Sequence, residues 1–312
     1  MLVLRDFLQR VASRQPRTLH AWTMKPILPA SLILLLLLPG SFRLSGQGKP
    51  KADVPGLTLE RKEHLLTIRG PGIPAEGIAV NYLEAYCRAG STNADWVGQT
   101  VILHRSRDTL VTPGEVRMRD TLADGLEVDH IITAGVDEVT FDITARNPTA
   151  RRSEAHWAQP CVRLGPFCGF PATWTGPGPE DYLPQCFVFL EGKPVRLPTA
   201  VWAKEARYTP GQVWCPREVP RTDVNPRPLN PEVPSCGLIG CFSADGKHIW
   251  AVAFEPYQEL FQGVARCLHS DFRLGGVEPG ATRKVRGKMY VLSGGMDVLM
   301  ARYRKDFPDQ VQ

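Results

Sequence analysis

Two stretches of the chain gather the residue types that move protons. The first, Asn147 to Phe167, reads NPTARRSEAHWAQPCVRLGPF and holds His156, Trp157 and Gln159. An imidazole titrates near working pH, so His156 facing a groove can act as an acid. The same ring can instead be a hydrogen-bonded structural group. The second stretch, Phe254 to Arg273, reads FEPYQELFQGVARCLHSDFR and combines Glu255, Tyr257, Gln258, Glu259, Arg266, His269 and Asp271. Carboxylates near a His form a general acid–base pair. Aromatic rings with polar tips suit a sugar, stacking on its ring face while neighbours hydrogen-bond its hydroxyls. Salt bridges along a sheet edge would give the same composition. A third stretch, Asn81 to Arg88 (NYLEAYCR), puts Tyr82, Glu84 and Tyr86 on one strand face by strict alternation, a plausible ligand-contact strip. The expected catalytic set is His156, Glu255, Glu259 and His269. Around it, Tyr82, Glu84, Trp157, Gln159, Tyr257, Arg266 and Asp271 are expected to contact ligand.

Several chemistries are excluded. The chain has no G-x-S-x-G elbow and no H-E-x-x-H, P-loop or G-x-G-x-x-G pattern. His269-Ser270-Asp271 is no catalytic triad, because consecutive strand residues cannot converge on one another. Cys267 and His269 share a face, but two ligands do not make a metal site, and no CxxC occurs. No metal and no cofactor is expected.

The elements that must position these residues are mostly strands. Leu57–Leu59 and Leu65–Ile68 flank Arg61-Lys62-Glu63 as a hairpin. Leu126, Val128, His130 and Ile132 share one face of a strand. After a turn at Ala134-Gly135, Val139, Phe141, Ile143 and Ala145 share one face of the next, the period-2 mark of half-buried antiparallel strands. Phe187–Leu190 and Val195–Leu197 flank Glu191-Gly192-Lys193. Leu238–Phe242 and Ile249–Phe254 flank a turn containing Asp245-Gly246. Pro279-Gly280 precedes a strand from Val285 to Leu292. One helix is expected, 294–307, with Met296, Leu299, Met300, Tyr303 and Phe307 at helical spacing and Ser293 as its cap. Thr209 to Cys236 holds seven prolines and can be neither helix nor central strand. It carries Arg221, Asn225 and Arg227, and is expected to lie as an ordered loop across a site mouth, supplying those three to a ligand.

The 312 residues carry a formal charge of +5, but six of the basic residues fall at or before Arg43. The chain beyond Arg43 is near neutral, which argues against a nucleic-acid footprint. The apolar run Leu32–Leu38, after Lys25 and before Pro39-Gly40, has the length of a signal-peptide core and is too short to span a bilayer. Residues 1–48 read as an over-extended start plus signal peptide, with Met24 the natural start, and 49–55 as a linker. Residues 56–312 then form a single β domain, secreted or periplasmic, with no stable membrane span after processing; an anchor that stays attached is the alternative. Eight cysteines remain, and both disulfides and buried free thiols are compatible with an exported chain of this size.

The strand ending in Asn147-Pro148-Thr149, a short polar connection, and a strand with His156 and Trp157 resemble the galactose mutarotase-like supersandwich. So does the closing Gly276-Val277-Glu278-Pro279-Gly280 turn before a final strand. The whole chain also resembles secreted bacterial proteins. The resemblance covers roughly residues 55–292 and implies an antiparallel β-supersandwich. It further implies a carbohydrate ligand, and acid–base chemistry in which His156 matches the family's His and Glu255 or Glu259 its Glu. The same fold serves binding modules as well as enzymes. A carbohydrate-active enzyme, a glycan-binding module and a non-catalytic structural or assembly protein of the envelope therefore remain three distinct expectations.

Overall fold

Alternating sequence builds two large antiparallel sheets. The structure, a computed structural model, describes residues 56–172 and 180–310. The leader and linker expectations for residues 1–55 lie outside the described residues. The chain runs β1 (Thr58–Lys62), β2 (Leu65–Arg69), β3 (Ile78–Cys87), β4 (Val101–Ile102), β5 (His104–Val111) and β6 (Glu115–Leu122). It continues β7 (Glu127–Ala134), β8 (Glu138–Arg146), β9 (Trp157–Arg163), β10 (Cys186–Leu190), β11 (Lys193–Arg196) and β12 (Gln212–Trp214). It ends with β13 (Pro234–Phe242), β14 (His248–Glu255), β15 (Tyr257–Gln262), β16 (Cys267–Arg273), β17 (Thr282–Ser293) and helix α1 (Met296–Asp306).

The first sheet has the order β1-β2-β3-β9-β16-β15-β12, with β4 also paired to β3; the second has the order β11-β10-β13-β14-β17-β8-β7-β6-β5. Between them lies the core. Ile78, Val80, Val162, Leu268 and Phe272 from the first sheet meet Val128, Phe141, Trp250, Val252 and Met289 from the second. The fold is thus a mainly antiparallel β-sandwich with one C-terminal helix, the class the sequence pattern requires. Burying one face of each strand in this way is the main driving force for the fold.

Each outer face is also covered in part. On the second sheet, Leu299, Tyr303 and Phe307 of and beside α1 pack on Phe187, Leu238, Ile249 and Tyr290. The helix therefore lies on a sheet face. Its N-cap is Gly295, because Ser293 is still in β17, so the expected serine cap is not used. On the first sheet, the proline-rich segment folds down as an ordered loop. Proline-free Gln212–Trp214 becomes a strand at the sheet edge. The segment ends in Pro234–Cys236, which open β13 between β10 and β14, so its last residues do enter a central strand, with proline at the strand's first position, where a missing N–H is tolerated.

A polar knot sits inside the sandwich. Tyr82 and Tyr86 of β3 point between the sheets. Tyr82 Oη lies 2.8 Å from His130 Nδ1, and Tyr86 Oη donates to Asp120 Oδ2 at 2.7 Å while lying 3.0 Å from His130 Nε2. The strip expected from strict alternation is broken by a bulge: β3 pairs Asn81 with Cys161 but Ala85 with Gln159, so the extra residues turn Glu84 to the outside while both tyrosines stay in the core. All eight cysteines are buried free thiols. No helix among the described residues is long and apolar enough to cross a membrane.

Candidate functional site

The outer face of the first sheet carries the chemistry. In β16, Leu268 and Phe272 face the core, so Cys267, His269, Asp271 and Arg273 face outward. In β9, Ala158 and Val162 face the core and leave Trp157, Gln159, Cys161 and Arg163 outward. Antiparallel pairing of Leu268 with Val162 and Phe272 with Ala158 lays these two outward rows side by side. Next in the sheet, β15 brings Glu259 opposite Asp271 and Phe261 opposite His269.

His269 is the hub. Its Nδ1 lies 3.0 Å from Gln159 Nε2 and 3.5 Å from Asp271 Oδ1, and its Nε2 lies 3.3 Å from Cys267 Sγ. The Phe261 ring covers it at 4.8 Å between centroids. Glu259, His269 and Asp271 are 0%, 1% and 0% exposed, which keeps bulk water from screening their charges. Burial disfavours charge on His269, but the flanking Cys267 and Asp271 overcome it and hold the imidazole up, at about 10. The hydrogen bond from Cys161 and the charge of His269 hold the Cys267 thiol well down despite its burial. Burial lifts Asp271 to about 6. Burial and then the Asp271 charge push Glu259 well above the usual carboxylate range. Asp271 Oδ1 and Oδ2, Glu259 Oε1 and Gln159 Oε1 are buried and receive no hydrogen bond from a neighbouring N–H or hydroxyl, while the Glu259 and Asp271 carboxyls interact with each other. Buried polar atoms usually have partners, and perturbed carboxyls gathered beside an imidazole are a mark of a functional site.

The loop after β12 closes over this face. Asn225 N donates to Glu259 Oε2 at 2.9 Å. Two residues earlier, Asp223 Oδ2 lies 3.2 Å from His156 Nδ1 and 3.5 Å from Arg273 Nη1, and its carbonyl accepts from Gln258 Nε2. Val213, Cys215, Val219 and Val224 pack with Phe261 as the loop's apolar underside. Arg221 ties the loop to itself through the Asn230 carbonyl, and Arg227 through the Pro210 carbonyl.

The expected site residues are therefore sorted by the fold. Glu259, His269, Asp271 and Gln159 come together, with His156 attached to the same three-residue stretch of loop that caps Glu259. Glu84 lies beside Cys161 at the edge of this group with its side chain open to solvent. Others are placed elsewhere. Glu255 belongs to the second sheet and pairs with Arg286. Tyr257 packs in the core, and Tyr82 hydrogen-bonds His130 there, so neither faces the site. Trp157 is fully buried against Ala85, Cys87 and Trp96. Arg266 sits at the β15–β16 turn with both Nε and Nη2 on Asp181. Cys161 was not expected; its only sequence signal is that Gln159 and Cys161 share a strand face, and its approach to His269 depends on pairing between strands about 110 residues apart, as the Gln159–His269 contact shows.

No protein-family model matches the chain, and no curated protein matches it. Solved structures do. The Slr1438 protein from Synechocystis sp. PCC 6803 is 13% identical with a TM-score of 0.38, covering 79% of this chain and all of its own. A candidate aldose 1-epimerase from Escherichia coli K12 is 12% identical at 0.39, covering 77% of this chain and all of its own. A galactose mutarotase-like protein from Lactobacillus casei ATCC 334 is 8% identical at 0.40, covering 76% of this chain and all of its own. These are likenesses of layout, and the chemistry of this chain rests on its own residues.

Proposed function

We propose that this chain is an exported carbohydrate-binding protein whose ligand face is the outer face of the first sheet, with acid–base capacity in Glu259, His269 and Asp271. One observation carries the reading. Four buried side-chain oxygens from three strands, on Gln159, Glu259 and Asp271, gather beside His269 and receive no hydrogen bond from a neighbouring N–H or hydroxyl. A polyhydroxyl ligand supplies many donors in a small volume, which suits such a cluster once the loop that caps Glu259 through Asn225 moves aside. Rearrangement at an anomeric carbon needs one proton delivered and another removed, and carboxyl groups beside an imidazole can serve both ends. His156, held by Asp223, lies at the margin and positions the covering loop. The buried state of every cysteine is compatible with export, since oxidants reach a buried thiol poorly.

A second reading has its own support. The loop's apolar underside, Val213, Cys215, Val219 and Val224, fills part of the same face, as a structural envelope protein would require. Polarimetry on a panel of aldoses separates the two. The proposal predicts accelerated anomer interconversion that falls about 10²–10⁴-fold in Glu259→Gln and Asp271→Asn with little change in melting temperature. Variants that lower the melting temperature alone, in a protein that neither turns over nor binds any sugar, would favour the structural reading.

A further inference from the structure

His269 presents a different chemistry on its other side. Cys267 and His269 are two apart on β16 and face the same way, and Cys161 reaches the same spot from β9. One ligating atom from each of Cys161, Cys267 and His269 lies within 4.8 Å of the other two. The three residues are 2%, 4% and 1% exposed. A tetrahedral ion with bonds of about 2.3 Å to sulfur and about 2.0–2.1 Å to nitrogen holds its ligand atoms about 3.6–3.8 Å apart, so the set has to close by at most about 1 Å, which side-chain rotation supplies.

A second observation points the same way. A metal-bound His donates its other ring N–H to a carboxylate or carbonyl, which fixes the ring. Here Nε2 faces the Cys267 sulfur, while Nδ1 faces Asp271 Oδ1 at 3.5 Å and Gln159 Nε2 at 3.0 Å. Two donors cannot face each other, so a Nδ1–H directed at fully buried Asp271 goes with the Gln159 amide turned to present Oε1 to the ring. Asp271 is a carboxylate placed where such an orienting partner belongs.

We propose that Cys161, Cys267 and His269 bind one thiophilic metal ion, zinc(II) or copper(I), with Asp271 orienting His269 from behind. Two thiolates and an imidazole are the donors both ions accept, and hard ions such as magnesium or calcium would take oxygen instead. The site shares His269 and Asp271 with the proposed carbohydrate face but does not depend on it. With the metal in place, His269 is a ligand and no longer a proton carrier.

The test uses the full-length protein, stripped with chelator and titrated with zinc(II), copper(I), and cobalt(II) as the spectroscopic probe. One equivalent should bind per chain, and cobalt should give a thiolate-to-metal charge-transfer band with the visible bands of a tetrahedral ion. Cys161→Ser and Cys267→Ser should abolish that band, Asp271→Asn should weaken binding about 10–100-fold, and Cys236→Ser on the other sheet should leave it unchanged. Elemental analysis of the protein as purified identifies the ion, since raw affinity favours copper at any thiolate site. If a serine variant fails to fold, X-ray absorption of the wild-type complex decides: two sulfur donors and a nitrogen support the site, and an all-nitrogen-and-oxygen donor set overturns it. Cobalt binding without the thiolate band, binding unaffected by Cys161→Ser, or a Cys161–Cys267 disulfide in the purified protein also overturns it. Sugar binding by the metal-free protein is measured in parallel, so a protein that binds sugar but no metal refutes this site and leaves the carbohydrate reading standing.

Discussion

Acid should weaken this sandwich through one buried carboxylate in particular. Asp120 lies between the sheets with no exposed surface, where burial alone would raise its pKa. The hydrogen bond and charge of His130 on β7 overcome that, helped by Ser106 on β5 and Tyr86 on β3, and bring it from 3.8 down to about 2. A group whose pKa is depressed on folding adds stability above its unfolded pKa and loses it as pH falls through the folded one. At about 1.4 kcal/mol per pH unit, the contribution is roughly 2.5 kcal/mol at neutral pH, vanishing between about pH 4 and pH 2. Urea unfolding of wild type and Asp120→Asn over that range isolates it, because the other carboxylates titrate alike in both proteins. The gap between the two should be largest near neutrality and shrink as pH falls. A gap that stays constant from pH 7 to about pH 2 would refute the assignment, since protonation of a paired Asp120 carboxylate must narrow it.

Other consequences are local. A Cβ on Gly287 would strike the Phe254 ring, which packs at 5.5 Å on Phe141 and 5.4 Å on Phe272; Gly287→Ala should cost about 1–3 kcal/mol in chemical denaturation, and a neutral result would mean the core has room there. Leu299→Ala should cost roughly 2–5 kcal/mol, because α1 is the cover of an otherwise exposed apolar sheet face; a value near zero would mean the helix is dispensable. Asp223→Ala cuts the loop from both His156 and Arg273, so limited proteolysis should move into residues 209–236; unchanged cleavage would show that the apolar underside alone holds the loop.

Much of the fold is legible because one face of each strand is buried and the other wet. Val128, His130 and Ile132, then Val139, Phe141 and Ile143, alternate in sequence and in burial alike. Gly246, at a φ of 70°, confirms the turn expected at Asp245-Gly246. Where both faces are buried the pattern fails. Strand β9 has six consecutive buried residues, and its outward row of Trp157, Gln159 and Cys161 has no polar contrast to announce it. The bulge in β3 reverses the facing of Glu84 relative to Tyr82 and Tyr86, which no local periodicity predicts. Within the site, Glu259, His269 and Asp271 were readable as a cluster because β15 and β16 form one hairpin. Cys161 was not, because register between distant strands is set by the whole sheet rather than by nearby residues. Glu255 was misplaced for a related reason: it lies on β14, one turn of chain before Glu259 on β15, and the chain changes sheets between them.

Ligand-observed saturation-transfer NMR with a panel of monosaccharides and short glycans, on wild type and Asp271→Asn side by side, tests the central claim most directly. A sugar that hydrogen-bonds the buried acceptors should show transfer with wild type, and the signal should fall by about tenfold or more in the variant while the variant's melting temperature holds. Transfer that persists unchanged in Asp271→Asn, or its absence across the whole panel with wild type, would contradict the claim that the outer face of the first sheet is a carbohydrate site.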